Sequence, residues 1–448
     1  MRSAILRFSC AVSVFVLVLA RASLAQLSGS LSGTLGPGTY HVVDTIFINA
    51  SDTLRLLPST VFVFDGGFPF EVHGILLAEG TEGDSVVFTA DTSVNPNWWR
   101  GIRFLDSTSS GSSLAHCIIE FGWATGDTMP YGGGVYCERS SPQFSDCAIR
   151  RNWAWFQDDL HRTYGKGGGV YCYDAAPAFV HCTISRNCAI PGGGGVHCEN
   201  ASPTFVDCTF YLNRGNNGGG VACWESAPTF IDCDFLYNTI DYVDLPGFTG
   251  HGGGVACYAS SPTFDNCVLR GNFGAWGGGL YFTDYTLAVV TNCVIDSNRS
   301  EGAYCENGAS PTFIGSFVCR NQGVGISCEN YASPTFENCI ISDNAGGIVC
   351  WSYCSPLFSR CSIINNSGPD GGAVSCRDNS SPRFSNCTLS GNSAWGDGGG
   401  VFCRQNSAPV FEGCTISDNS TSYSGGALNC GNSSPRFTDC KIEGNSAS

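Results

Sequence analysis

Two stretches interrupt an otherwise regular repeat, and they concentrate the residue types that could do chemistry. Residues 153–166 carry Trp153, Trp155, Asp158, Asp159, His161, Arg162, Tyr164 and Lys166, and residues 239–250 carry Asp241, Tyr242, Asp244 and Phe248. Carboxylates beside a histidine and an arginine are what proton transfer at a glycosidic bond requires. If the chain is an enzyme, Asp158, Asp159, His161 and Arg162 are its candidate catalytic centre. Trp123, Trp153, Trp155, Trp276 and Trp395 fall at the same corner of the repeat as the two stretches. Ring planes in register there, beside polar loops, would suit a glycan. With Tyr164, Asp241 and Tyr242 they make up the candidate ligand-binding set. Neither a metal nor a cofactor is expected, because the cysteines are spread along the chain rather than grouped as CxxC pairs with histidine.

The element that must position these residues is a repeated unit. Gly132 opens GGGVYCERSSPQFSDCAIRRN, Gly218 opens GGGVACWESAPTFIDCDFLYN, and Gly398 opens GGGVFCRQNSAPVFEGCTISDN. Twelve such units start at Gly132, Gly167, Gly193, Gly218, Gly252, Gly277, Gly302, Gly323, Gly346, Gly371, Gly398 and Gly425. Within one unit, Val135 and Cys137 alternate with Tyr136, so the first two face inward and Tyr136 outward. Pro142 cannot join a ladder and marks a corner. Cys147 and Ile149 then alternate again as a further strand. Asn152 closes the unit, and the glycine run permits the sharp turn that follows. No segment shows helical spacing, and a propeller blade needs about 40–50 residues. The expectation is an all-β, right-handed parallel β-helix solenoid of about twelve regular coils, each rising about 4.8 Å.

Stacked coils put like on like. Val135, Val170, Val196 and their equivalents should form one internal ladder, Phe144, Phe179 and Phe205 a second, and Asn152, Asn187 and Asn213 an amide ladder at the turn. Asp146, Asp207, Asp232 and Asp439 precede the second cysteine of their units and alternate with asparagines, which reads as a solvated polar stripe. Of 27 cysteines, most occupy one position on the first strand or one on the second. A cysteine-rich exported chain suggests disulfides. Yet Phe282 and Ser316 each replace one cysteine of a unit while the other persists. Inward thiols acting as small apolar groups fit that pattern better than obligate pairs.

The first residues read as an address. Arg2 and Arg7 precede the apolar run of residues 11–20, and Ser23-Leu24-Ala25 supplies small residues at the peptidase positions. Residues 1–25 are thus expected to be a Sec signal peptide, the run being too short to span a bilayer. The mature chain belongs outside the cytoplasm, extracellular or at the cell surface, with no insertion of the β-helix into a membrane. Residues 26–131 would cap and lead the solenoid, and residues 132–448 carry the regular coils. A net charge of −16 with only 22 Lys and Arg excludes nucleic acid as a partner. Solenoids need terminal caps, and Ser448 stands where the next glycine run is due. The expectation is therefore a fragment, or a lost C-terminal anchoring domain.

The Gly-Gly-[Gly/Ala]-Val and Ile-x-x-Asn elements resemble the GGA[ILV] and FxxN repeats of the chlamydial polymorphic membrane proteins, although asparagine here usually follows Ile or Leu. The N-terminal part is similar to the leader of the wider pectate-lyase-like β-helix family. Thr53-Leu54-Arg55-Leu56-Leu57-Pro58-Ser59-Thr60-Val61 resembles its TLxIxPGTxI coil, and Trp99-Arg100-Gly101-Ile102-Arg103-Phe104 its WxGIxF element. Gly250-His251-Gly252 looks like the GHG of polygalacturonases, but the NTD, DD and RIK elements that accompany it there are missing at family spacing. These resemblances imply a fold that hosts lyases, hydrolases, epimerases and adhesins. The expectation is a binding, adhesin-like and non-catalytic scaffold whose partner is an extracellular glycan or a host or neighbouring surface protein. The alternative is a polysaccharide lyase or glycoside hydrolase.

Overall fold

A computed structural model describes residues 25–92, 98–125, 130–158, 163–240 and 250–448. The proposed signal segment therefore lies outside the described residues except for Ala25, and so do Asp159, His161, Arg162, Asp241 and Tyr242. One regular coil consists of three short strands, Val135–Glu138, Gln143–Ser145 and Ala148–Arg150, each followed by a corner. Each strand pairs in parallel with its counterpart in the next coil. The sheet that holds the Phe strand has 16 strands, four from the leader before Gly132 and twelve from the repeat. Among the described residues the antiparallel pair is Phe156–Gln157 with Thr163–Tyr164, inside the first inserted stretch.

Register is strict. Val135, Val170, Val196, Val221 and Val255 are direct partners in succession, as are Cys137, Cys172, Cys198, Cys223 and Cys257. The Phe ladder runs from Phe144 to Phe264, is broken at Val290, and resumes from Phe313 to Phe437. Its rings stack with centroids 4.6–5.2 Å apart. In the leader, Phe62, Phe64, Phe70, Phe88 and Trp99 fill the same interior, with Phe64 stacked on Trp99 at 4.2 Å.

The asparagine ladder is continuous from Asn152 to Asn445 and includes Asn366, which the doubled Asn365-Asn366 hides in the sequence. Each backbone N–H and each Nδ2 donates to the next asparagine's Oδ1 at 2.9–3.1 Å. Each Nδ2 also reaches a carbonyl of the preceding coil, as from Asn238 to Phe210 at 2.8 Å. The turn that every coil must make is thereby satisfied without water. The glycine run beside it has no room for a side chain. A Cβ on Gly219 would stand 2.5 Å from the Gly253 carbonyl oxygen and 2.6 Å from that of Thr239.

The two cysteine positions differ. Second-position thiols donate to backbone carbonyls, as Cys208 does to Val206 at 3.3 Å and to Phe179 at 3.4 Å. First-position thiols from Cys137 to Cys403 are fully buried, packed with the Val ladder in the core, while Cys430 in the last coil is exposed. The one departure from simple alternation concerns Tyr136 and its equivalents. They face away from the core, yet Tyr136, Tyr171, His197, Tyr281 and Tyr304 are all buried. The residue preceding each glycine run folds over this outer row: Tyr131 lies against Tyr171, His251 against Tyr281, and Trp276 against Tyr304.

Candidate functional site

The tryptophan corner divides into separate groups. Trp123 and Trp153 are direct partners in adjacent coils, and Trp98 stacks on Trp153 at 4.5 Å with Trp123 edge-on to both. The Trp123 Nε1 donates to the Trp155 carbonyl at 3.2 Å. Below Trp153 the row continues as Cys188, Arg214, Thr239 and Phe273, so the aromatic run ends after two coils. Trp276 belongs to the neighbouring row, after Asn217 and His251. Trp395 lies several coils further on, where its Nε1 donates to Ser367. The different number of residues between asparagine and glycine run in each coil causes this separation. In the first inserted stretch, Tyr164 donates to Asp158 at 3.3 Å, and its ring stacks on Phe156.

A second concavity lies on the outer row, where the inserted stretch ends at Lys166. It is a pocket of about 270 Å³ lined by Lys166, Pro191, His197, Glu199, Asn217 and Trp224, among others. Stacking of three coils builds it. His197 follows Tyr171 in the outer row, while Trp224 follows Glu199 at the end of the same strands. Trp224 is 38% exposed and lies flat against Tyr258 at 4.1 Å, which fixes its ring as a platform at the rim. Tyr258 in turn donates to Asn217 Oδ1 at 3.0 Å.

Glu199 is the electrostatic centre. Its Oε2 accepts from Lys166 Nζ at 2.6 Å and from the Tyr171 hydroxyl at 2.9 Å. Burial, followed by the Glu199 charge, raises the Tyr171 hydroxyl well above the usual tyrosine range, so it stays protonated. His197 accepts the Gly193 N–H at Nδ1, which places its proton on Nε2. That Nε2 lies 3.9 Å from Glu199 Oε2 and has no hydrogen-bond partner. Loss of hydration, with Lys166 nearby, holds His197 well below its usual value of 6.5.

This has a measurable consequence. An unfolded chain takes up a proton on His197 near pH 6.5, and the folded chain does not. The associated stability is present above that pH and is lost as pH falls below it, by up to about 1.4 kcal/mol per unit. Alanine stands in the same row at Ala222 and Ala256. Denaturant unfolding from pH 7 to 4.5 should therefore show a shallower decline for His197→Ala than for the natural chain.

Sequence reasoning noted Lys166 only as part of a loop and missed His197, Glu199 and Trp224. Aligning the repeats by their Val-x-Cys-x strands would have shown the x positions gathering polar-tipped rings and acids over adjacent coils.

Comparison with curated proteins gives no match. In structure the chain is similar to a periplasmic alginate epimerase (10% identity, 90% of this chain and 76% of the other, TM-score 0.32). It is also similar to a pectate lyase (14%, 65% and 68%, 0.33). A third likeness is to the A-module of an Azotobacter vinelandii mannuronan C-5 epimerase (12%, 91% and 91%, 0.27). Values this low carry no functional argument. The family model described as right-handed beta helix region matches residues 71–244, 133–333, 253–397 and 305–448, which together span most of the chain. A sequence match of that extent, on a parallel three-stranded coil, shows that the chain belongs to the right-handed β-helix family.

Proposed function

We propose that this protein acts on a polysaccharide outside the cytoplasm, held in the pocket between Lys166 and Trp224. The observation that carries the reading is the pairing of a fixed, exposed indole with a pocket whose lining includes charged and amide side chains. Trp224 offers a flat apolar face of the kind that a sugar ring covers, and Lys166, Glu199, Asn200, Asn217 and Glu225 offer donors and acceptors beside it. The three proteins compared above are named for action on alginate, pectate and mannuronan, but the proposal rests on the pocket. The pocket carries acid–base candidates of its own. Glu199 already holds a neutral tyrosine hydroxyl and an ammonium, and Glu225 supplies a second carboxylate in the same lining.

The test combines a depolymerisation assay on the glycans that bind with the substitution Glu199→Gln. Turnover lost by at least about a hundredfold, with binding retained, supports an acid–base role for Glu199. Binding without turnover in the natural chain returns it to the non-catalytic, adhesin-like reading.

A further inference from the structure

The charge around the pocket narrows the sugar it can take, and this step rests on the glycan-binding role proposed above. Lys166 and Glu199 pair with each other at 2.6 Å. His197 stays neutral, because loss of hydration disfavours its charged form. Glu225 stands exposed beside the Trp224 indole and has no ion pair among the described residues. One carboxylate is thus left uncompensated in the lining. The flanking coils have the same sign. From Tyr173 to Asn330, the two residues after each first-strand cysteine position supply Asp174, Glu199, Glu225, Asp284, Glu306 and Glu329, and neither Lys nor Arg. Glu306 accepts the Tyr281 hydroxyl as Glu199 accepts that of Tyr171, and a neutral hydroxyl does not cancel the charge. Outside this span the bases return, each beside an acid: Arg139 pairs with Glu138, Arg377 with Asp370 and Arg404 with Asp397.

We propose that the pocket takes an amino-sugar residue of a polycationic glycan, its ring on Trp224 and its ammonium on Glu225, and turns polyuronates away. An ammonium on a carboxylate makes a charge-assisted hydrogen bond. Held near an indole face, it also gains from the negative face of the ring. A polymer with one ammonium per sugar can then meet Asp174 on one side of the pocket and Asp284, Glu306 and Glu329 on the other, because these lie in successive coils along the same face. A polyuronate meets Glu225 with like charge, and the net charge of −16 opposes its approach before contact. A basic peptide would also suit the carboxylates. The flat, fixed indole favours a sugar ring over a flexible lysine chain.

The test is calorimetric titration of the full chain with a glucosamine hexamer, in mildly acidic buffer where its amines are charged. The N-acetylated hexamer, a uronate hexamer and an oligolysine of the same length serve as comparisons. The glucosamine hexamer should bind at least about tenfold more tightly than the acetylated one, the scale of a hydrogen bond to a charged group. The uronate hexamer should not bind, and added salt should weaken the glucosamine hexamer. Glu225→Gln keeps the size of the side chain, and adjacent coils hold the uncharged Asn200 and Ala259 at this place, so folding should be unchanged. It should lose about three- to tenfold in affinity for the glucosamine hexamer. An acetylated or uronate hexamer bound as tightly, and lost in Trp224→Ala, would overturn the proposal and leave the glycan pocket standing. Oligolysine bound more tightly than the glycan would overturn it in favour of a basic peptide. Glucosamine binding indifferent to both Glu225→Gln and Trp224→Ala would overturn it in favour of diffuse attraction to the acidic surface. Failure of every glycan to bind would remove the glycan-binding role as well.

Discussion

Replacing Asn238 with alanine should destabilise the chain by roughly 3–5 kcal/mol, far more than a surface substitution. The side chain makes four hydrogen bonds in a buried turn. Its Oδ1 accepts from the backbone N–H and Nδ2 of Asn213, both at 3.0 Å, and its Nδ2 donates to Phe210 at 2.8 Å and to Asn272 at 3.1 Å. Alanine leaves the Asn213 N–H with no acceptor where water cannot reach it. Because each coil contacts only its neighbours, the break also uncouples the coils on either side. Denaturant unfolding should show a lower midpoint and a broadened or split transition. Arg299→Ala, at an exposed site, should stay within about 0.5 kcal/mol of the natural chain. A change that small for Asn238→Ala would show that the amide ladder does not hold the turn.

The second large effect concerns the thiols. In the native chain Cys430 is exposed, Cys188 and Cys440 are half-buried, and the other described cysteines are buried. Burial pushes the Cys305 and Cys376 thiols well above their usual range, which removes the reactive thiolate. Cys137, Cys172, Cys198, Cys223 and Cys257 are direct partners in successive coils, and each is a free thiol stacked on the next. Labelling of the folded chain with a thiol-reactive dye should be fast at Cys430 and slow or absent at the buried positions. In denaturant without reductant, all 26 cysteines from Cys117 to Cys440 should react. A denatured count far below that would reveal bridges between coils.

The fold was legible because each unit repeats the same residue type at the same structural position. Val135, Phe144, Cys147 and Asn152 recur so regularly that a coil of two or three short strands and its ladders follow from the sequence, while the separate strand around Phe144 is seen in the structure. Alternation places Tyr136 away from the core, where it lies, and what alternation does not show is its burial against Tyr171 and Arg103. The candidate site was less legible for a related reason. Trp153 and Trp123 do meet, but Trp276 and Trp395 occupy other places, because chain length at that corner varies between coils. His197, Glu199 and Trp224 sit at positions where neighbouring coils carry tyrosine, alanine or glutamate. Nothing about any one of them stands out until stacking brings the three together around Lys166.

The most direct test of the proposed glycan pocket is an array of extracellular polysaccharides probed with the natural chain, Trp224→Ala and the Trp153→Ala/Trp155→Ala double variant. Trp224 is a rim residue, and its row accepts Glu, Tyr and Thr in other coils, so the variant should fold. The pocket account predicts selective binding that falls at least about tenfold in Trp224→Ala, the scale of losing one aromatic contact. It also predicts binding that is kept in the double variant. Binding that survives Trp224→Ala and disappears in the double variant would contradict the account and move the site to the Trp98–Trp123–Trp153 cluster.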